Sequence, residues 1–114
     1  MKFTIFYIDD EPMLCENFQD EFESDDILVK TFLDPNRAID EAQRNPPDLV
    51  FIDFRFPKIT GEQVAASLPA AIPKILVTGD LNIKASANFQ SVLTKPVLSD
   101  DIVKIIQGIR SKAS

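Results

Sequence analysis

Charged and polar residues directly follow the apolar runs of this chain, and their types suggest one kind of chemistry. An acidic triplet follows the first run at 9–11, and later runs are followed by Asp53, Thr78 and Lys95. Crowded carboxylates repel one another, and a hard divalent cation such as Mg²⁺, which prefers oxygen ligands, relieves that repulsion. A carboxylate beside such a cation and a lysine can also accept a phosphoryl group as an acyl phosphate. If the fold brings these residues together, they predict a magnesium site with a phosphoryl-accepting aspartate.

Each of these residues also has a simpler structural explanation when it is taken alone. An aspartate at the end of a strand is often only a turn former or a helix N-cap. Lys95 precedes Pro96, where a lysine is usually a solvated loop residue, and Thr78-Gly79 alone is a turn. The chemical interpretation is favoured by the joint pattern, in which acid pair, acid, hydroxyl and lysine follow four predicted strands in that order.

The elements that must position these residues follow from the pattern of apolar residues. Strands are predicted at 3–8, 27–32, 49–52, 74–77 and 91–94. Helices are predicted to begin at Pro12, after Asp34, after Thr60 as a capping box, and at Ser99 as an N-cap. Residues 80–90 are ambiguous, although Ile83, Ala85 and Ala87 could line a short helix. Alternating strands and helices predict a doubly wound α/β fold, in which ligands bind outside the carboxyl ends of the parallel strands.

The composition excludes several classes of function. The chain has 114 residues, which predicts one domain, and it contains no histidine, one cysteine and three glycines. Histidine-based metal sites and catalytic triads, an internal disulfide and a glycine-rich nucleotide loop are therefore excluded. The net charge of −6 argues against direct binding of nucleic acid. No apolar run is long enough to span a membrane, no signal peptide is recognised, and a cytoplasmic location is expected.

Four segments carry a resemblance to a known family, and it covers residues 1–114 as one domain. They are Ile8-Asp9-Asp10-Glu11-Pro12, the stretch from Asp53 to Gly61, Val77-Thr78-Gly79 and Leu93-Thr94-Lys95-Pro96-Val97. The chain resembles the CheY-like receiver domains of two-component response regulators. That resemblance implies a flavodoxin-like sheet of five parallel strands in the order 2-1-3-4-5.

The resemblance also implies a role for each candidate residue. Asp53 would be the phosphoacceptor, and Thr78 and Lys95 would contact phosphoryl oxygens. Mg²⁺ would be held by the carboxylates of Asp10 and Asp53 and by the main-chain carbonyl of Arg55. Asp9 would support the ion through water. A cis peptide bond before Pro96 is implied as well.

The family also indicates the partners. Since the chain has no histidine, the phosphodonor would be a sensor histidine kinase or a histidine phosphotransfer protein. Phosphorylation would switch the binding of an unidentified effector, or the formation of a homodimer. The surface involved would be formed by the family's fourth helix, which lies between the fourth and fifth strands, together with the fifth strand and the last helix. No enzyme activity is expected beyond the phosphoryl transfer to the domain itself and its autodephosphorylation.

Three departures from the family pattern keep alternatives open. Val92 stands where the family often has a switching aromatic residue. The stretch between Thr78 and Lys95 is short, so we expect the family's fourth helix, which lies in this stretch, to be shortened or irregular. Arg55 occupies a position that influences the lifetime of the phosphoryl group. The alternative function is a protein interaction module that works without phosphorylation. A phosphatase of the haloacid dehalogenase type is disfavoured, because Arg55 stands where that family needs a second acid.

Overall fold

Five parallel strands form one sheet, and helices cover both of its faces. The computed structural model describes residues 2–83 and 86–113. Its elements are β1 (Phe3–Ile8), α1 (Pro12–Phe22), β2 (Ile27–Phe32), α2 (Pro35–Arg44), β3 (Leu49–Asp53), α3 (Gly61–Ser67), β4 (Lys74–Thr78), β5 (Ser91–Thr94) and α4 (Ser99–Ala113). The strand order is β2-β1-β3-β4-β5, and every pairing is parallel. The predicted fold and strand order are confirmed.

The alternation of side chains along β1 divides the core into two layers. Ile5 and Tyr7 point towards α1 and α4, whereas Phe6 and Ile8 point towards α2 and α3. Because β1 and β3 are covered on both faces, their sequences are almost uninterrupted apolar runs. The acidic residues thus begin where the central strands leave the core.

Three helix starts follow their sequence signals, at Pro12 and after the caps of α2 and α3, and the fourth differs by one residue. Asp34 caps α2, and Thr60 forms the predicted capping box with Gln63 at the start of α3. The prediction that Ser99 caps the last helix is wrong, because Ser99 is already the first residue of α4. The carbonyl of Leu98 accepts hydrogen bonds from the first turn of that helix, and the Ser99 hydroxyl donates to Glu21 of α1 instead.

The described part of the connection from β4 to β5 is irregular, as expected from the length of the connection. It runs from residue 79 to residue 90, which is about the dozen residues that a parallel crossover needs. Its described residues, 79–83 and 86–90, form turns and no helix, while Ala85 lies outside the described residues. Phe89 is buried and Ile83 packs against the same cluster, so these two side chains cover the sheet there together with Val92.

Candidate functional site

Three aspartates meet at the carboxyl end of the sheet. Ile8 pairs with Ile52 across β1 and β3, so the next residues along the chain, Asp9 after β1 and Asp53 at the end of β3, are neighbours. Carboxylate oxygens of Asp9, Asp10 and Asp53 lie within 4.8 Å of one another. The structure therefore brings together the acidic residues that the sequence singled out.

Lys95 joins this cluster from the end of β5. The main-chain N–H of Lys95 donates to the carbonyl of Thr78 over 2.8 Å, which extends the pairing of β4 and β5. Its Nζ lies 3.0 Å from Oδ1 of Asp53 and 3.5 Å from Oδ2 of Asp9. Burial acts to lower the pKa of Lys95, but the hydrogen bond to Asp53 and the two negative charges raise it overall, so the ammonium stays charged. The peptide bond from Lys95 to Pro96 is cis, as the resemblance implied.

Asp9 is the most deeply placed acid of the cluster. It is fully buried, and its Oδ1 accepts the main-chain N–H of Glu11 over 3.0 Å. Its Oδ2 accepts the hydroxyl of Tyr7 over 3.2 Å. Burial, followed by the charge and the hydrogen bond of Asp9, strongly raises the pKa of Tyr7, so the hydroxyl keeps its proton and remains a donor.

An open cavity of about 410 Å³ lies above the cluster. It is lined by Asp10, Glu11, Asp53, Phe54, Arg55, Gly79, Asp80 and Lys95. The Asp53 side chain is only 12% exposed, yet it reaches this cavity. Burial is the main cause that raises the pKa of Asp53, and the charges of Asp9 and Asp10 add to it, while Lys95 opposes them. A cation beside Asp53 would relieve that cost.

Arg55 lines the cavity whereas Thr78 does not, and each of them contacts Asp80. The guanidinium of Arg55 lies 3.5 Å from Oδ2 of Asp80 and also over the ring of Phe54. Thr78 is buried and does not line the cavity, because its Oγ accepts the main-chain N–H of Asp80 over 3.0 Å. The structure thus places Arg55 at the cavity, and it turns the Thr78 hydroxyl towards the following loop.

Gly61 packs closely against the backbone of Asp53 and Phe54. Its N–H donates to the carbonyl of Phe54 over 2.7 Å. A Cβ at this position would lie only 2.7 Å from the carbonyl oxygen of Asp53 and 3.0 Å from Cα of Phe54. The start of α3 can pack this closely against the end of β3 only because residue 61 has no side chain.

The residues present at the cluster fit a magnesium ion. The three carboxylates offer oxygen ligands, and the open cavity leaves room for the water that Mg²⁺ retains. Three acids faced by one lysine also leave excess negative charge for a divalent cation to neutralise. The chemistry of the donor set therefore matches a hard cation.

Comparison with known proteins identifies the family. The family described as "Response regulator receiver domain" matches residues 5–107. The chain is 30% identical to an uncharacterized response regulatory protein of Shewanella oneidensis, an alignment that covers 94% of this chain and 48% of that protein. It is 28% identical to the probable transcriptional regulatory protein TcrX of Mycobacterium tuberculosis, over 93% of this chain and 49% of that protein. The chain belongs to the receiver domain family of two-component systems, and it spans about half the length of these curated relatives.

Solved structures agree on the fold. A CheY-like receiver domain from Methylobacillus flagellatus superimposes with a TM-score of 0.85 at 19% identity, covering 96% of this chain and 99% of that one. The response regulator TrrA of Thermotoga maritima, crystallised in complex with Mg²⁺ and BeF, gives a TM-score of 0.83 at 22% identity, with coverages of 96% and 99%. Among the described residues, no helix is long and apolar enough to cross a membrane.

Sequence reasoning overlooked two residues of this site. Tyr7 was assigned only to the apolar run of β1, although it stands two positions before Asp9 and therefore on the same side of the chain. Asp80 was not singled out, although it follows Thr78 by two positions and contacts Arg55. The period of two along a strand could have indicated Tyr7, whereas the ion pair of Asp80 depends on a loop conformation that no spacing rule predicts.

Proposed function

We propose that this domain is a phosphorylation switch in which Asp53 accepts a phosphoryl group in a Mg²⁺-dependent reaction. The observation that carries the proposal is the position of the Asp53 carboxylate, which lies among two further acids, contacts Lys95 and opens into a cavity. Structural or turn-forming aspartates have no reason to converge with a lysine in this way.

In the proposed reaction, a carboxylate oxygen of Asp53 forms a bond to the phosphorus of the donor. The bond from phosphorus to the donor's leaving atom breaks, and the leaving group keeps the electron pair. The donor is a phosphohistidine on a sensor kinase or phosphotransfer protein, since this chain has no histidine. Such a transfer needs positioning and charge neutralisation more than covalent assistance.

The chain's own residues would divide these tasks among them. Asp10, Asp53 and the main-chain carbonyl of Arg55 would hold Mg²⁺, with Asp9 supporting it through water. When bound, the ion would neutralise the charge of the phosphoryl oxygens and the carboxylates. Lys95 already lies 3.0 Å from Asp53 and would pair with a phosphoryl oxygen once Asp53 carries the acyl phosphate.

Thr78 would take part through a change of partner. Its hydroxyl accepts a hydrogen bond from Asp80, and a hydroxyl that accepts in this way still has a proton to donate. The phosphorylated side chain would carry about −1.5 to −2 charges where the carboxylate carried −1, next to β4 and β5. Turning Thr78 and Lys95 towards that charge would displace the segment between the two strands.

We infer that this displacement is what a partner recognises. The segment 79–90, β5 and α4 form the surface that would bind an effector or a second copy of the domain. The described residues of the segment, 79–83 and 86–90, form no helix, and Asp80 among them contacts Arg55 at the cavity. We further propose a cytoplasmic location, in keeping with the single, unpaired cysteine.

Intact-mass spectrometry after incubation with acetyl phosphate and Mg²⁺ tests the proposal. The wild type is expected to gain a single phosphoryl group, and Asp53→Asn or added EDTA should abolish it. Asp20→Asn is the matched control, since Asp20 is an exposed aspartate of α1 outside the cluster, and it should be labelled like the wild type.

The same experiment can contradict the proposal. An adduct that persists in Asp53→Asn would show that another residue is the acceptor. If neither acetyl phosphate nor a phosphohistidine donor labels the folded wild type, while a known receiver is labelled in parallel, the phosphorylation switch is refuted. A protein interaction module that works without phosphorylation would then be the better description.

A further inference from the structure

Tyr7 connects the hydrophobic core to the acidic site through a single hydroxyl group. The side chain belongs to β1 and is 8% exposed. Its ring stacks on Phe18 of α1 with the centroids 4.3 Å apart and the planes 17° from parallel, and Phe18 in turn contacts Phe51 of β3. Because the ring is buried and stacked on Phe18, the position of its hydroxyl is restricted as well.

That hydroxyl is the rigid member of the donors around Asp9. Oδ1 of Asp9 is held by the main-chain N–H of Glu11. Oδ2 is approached by the Tyr7 hydroxyl at 3.2 Å and by the Lys95 ammonium at 3.5 Å. The lysine is a long, flexible side chain shared between Asp9 and Asp53, whereas the tyrosine hydroxyl donates to Asp9.

We propose that Tyr7 is a positioning residue for the metal site, where it acts by holding Oδ2 of Asp9. The inference rests on the proposed Mg²⁺ site. With the tyrosine in place, Asp9 is oriented before any cation arrives, and Lys95 remains between Asp9 and Asp53. Without the hydroxyl, Lys95 alone would have to satisfy Oδ2, which would draw the ammonium away from Asp53 and leave Asp9 freer to rotate.

The expected effect is on the affinity for the cation. Removing a residue that hydrogen-bonds the direct ligands of a metal typically changes the affinity by about 10- to 100-fold, and Tyr7 would act at the lower end because Asp9 supports the ion through water. We therefore expect Tyr7→Phe, which keeps the stacked ring and deletes only the hydroxyl, to weaken Mg²⁺ binding by about tenfold. In the absence of the cation, the free energy of unfolding obtained from urea denaturation should change far less than the binding free energy of Mg²⁺ does.

The wild type carries its own probe for the contact. Tyr7 is the only tyrosine and the chain has no tryptophan, so the tyrosine fluorescence of the protein reports on this one hydroxyl. Adding Mg²⁺ to the wild type should change that emission at the same concentration that shifts the backbone amide signals around Asp53. If Tyr7 only packed in the core, its emission would not change together with the amide signals around Asp53.

The deciding experiment is a Mg²⁺ titration of the wild type, Tyr7→Phe and Cys15→Ala, followed by backbone amide NMR. Cys15 is the matched control, because its Sγ contacts the main-chain carbonyl of Asp9 and not the carboxylate, so its affinity should stay within about twofold of the wild type. A Tyr7→Phe affinity equal to the wild type's, or an equal loss in both variants, would overturn the inference and leave the proposed function standing. A folded wild type that binds no Mg²⁺ would overturn the metal site and this inference together.

Discussion

Replacing Gly61 by alanine tests whether close packing against the backbone of Asp53 shapes the site. A Cβ at residue 61 would lie 2.7 Å from the carbonyl oxygen of Asp53, closer than real Cβ atoms approach such an atom. The obstacle is main chain, and it belongs to a central strand whose next residue donates its N–H to Val77 of β4. It cannot move aside at the low cost of a flexible side chain.

The magnitude follows from two opposing contributions. Overpacking against a well-ordered neighbour costs about 1–3 kcal/mol. Alanine is favoured over glycine in a helix by up to about 1 kcal/mol, and Gly61 has no positive φ that would forbid alanine. We therefore expect Gly61→Ala to lower the free energy of unfolding by about 1–2 kcal/mol, since the steric contribution is the larger one.

Gly108→Ala is the matched control, and urea denaturation is the assay. Gly108 lies inside α4, and a Cβ there would meet nothing within 4 Å. Its replacement should raise the free energy of unfolding by about 0.5–1 kcal/mol, because only the backbone preference of glycine is removed. The two variants are thus predicted to shift the urea midpoint in opposite directions. If Gly61→Ala is as stable as Gly108→Ala, the steric argument is wrong.

Three further predictions concern residues outside the acidic site. Lys74 is buried, and its Nζ donates to two loop carbonyls. Lys74→Met should therefore lower the free energy of unfolding by about 1–3 kcal/mol in urea denaturation. Lys104→Met on the exposed face of α4 is the control and should change it by under about 0.5 kcal/mol. Asp34→Ala removes the cap of α2 and should cost about 1 kcal/mol in the same assay, with an unchanged denaturant slope. The Ser24 hydroxyl is the first cause that holds the pKa of Asp26 below its ordinary value of 3.8, so Ser24→Ala should raise that pKa in an NMR titration of the carboxyl carbon. Because the pKa of Asp26 is lower in the folded state, any stability linked to it is present above pH 3.8 and is lost as the pH falls through the folded-state pKa. If the pKa of Asp26 does not move in Ser24→Ala, the assignment of the Ser24 hydroxyl as the cause is wrong.

The architecture could be predicted from the sequence because its signals are local. Prolines stand at element boundaries, the core strands are continuous apolar runs, and the capping box at Thr60 requires only a spacing of three. The meeting of the aspartates then follows from topology, since parallel strands bring their carboxyl ends to one edge.

The contacts that were not predicted depend on where side chains and loops end up in three dimensions. Ser99 was expected to accept a hydrogen bond from its own helix, but Glu21 of α1 offers a charged acceptor nearby. Lys74 at the start of a strand would be expected to face solvent, yet carbonyls of the preceding loop receive its ammonium. The role of Phe89 in covering the sheet required knowing that no helix lies in the described part of the crossover.

The irregular crossover before β5 has a consequence for how long the acidic site persists. β5 is a four-residue edge strand without a fully buried residue, and Phe89 and Ile83 shield it where a helix could lie. Free energies of local opening are lowest where few apolar contacts protect the backbone, so β5 should exchange its amide hydrogens before the central strands do. Lys95 directly follows β5, and each such opening would carry its ammonium away from Asp53. The ion pair at the centre of the site should therefore break at least as often as this one edge strand opens, which is many times within the life of the folded domain.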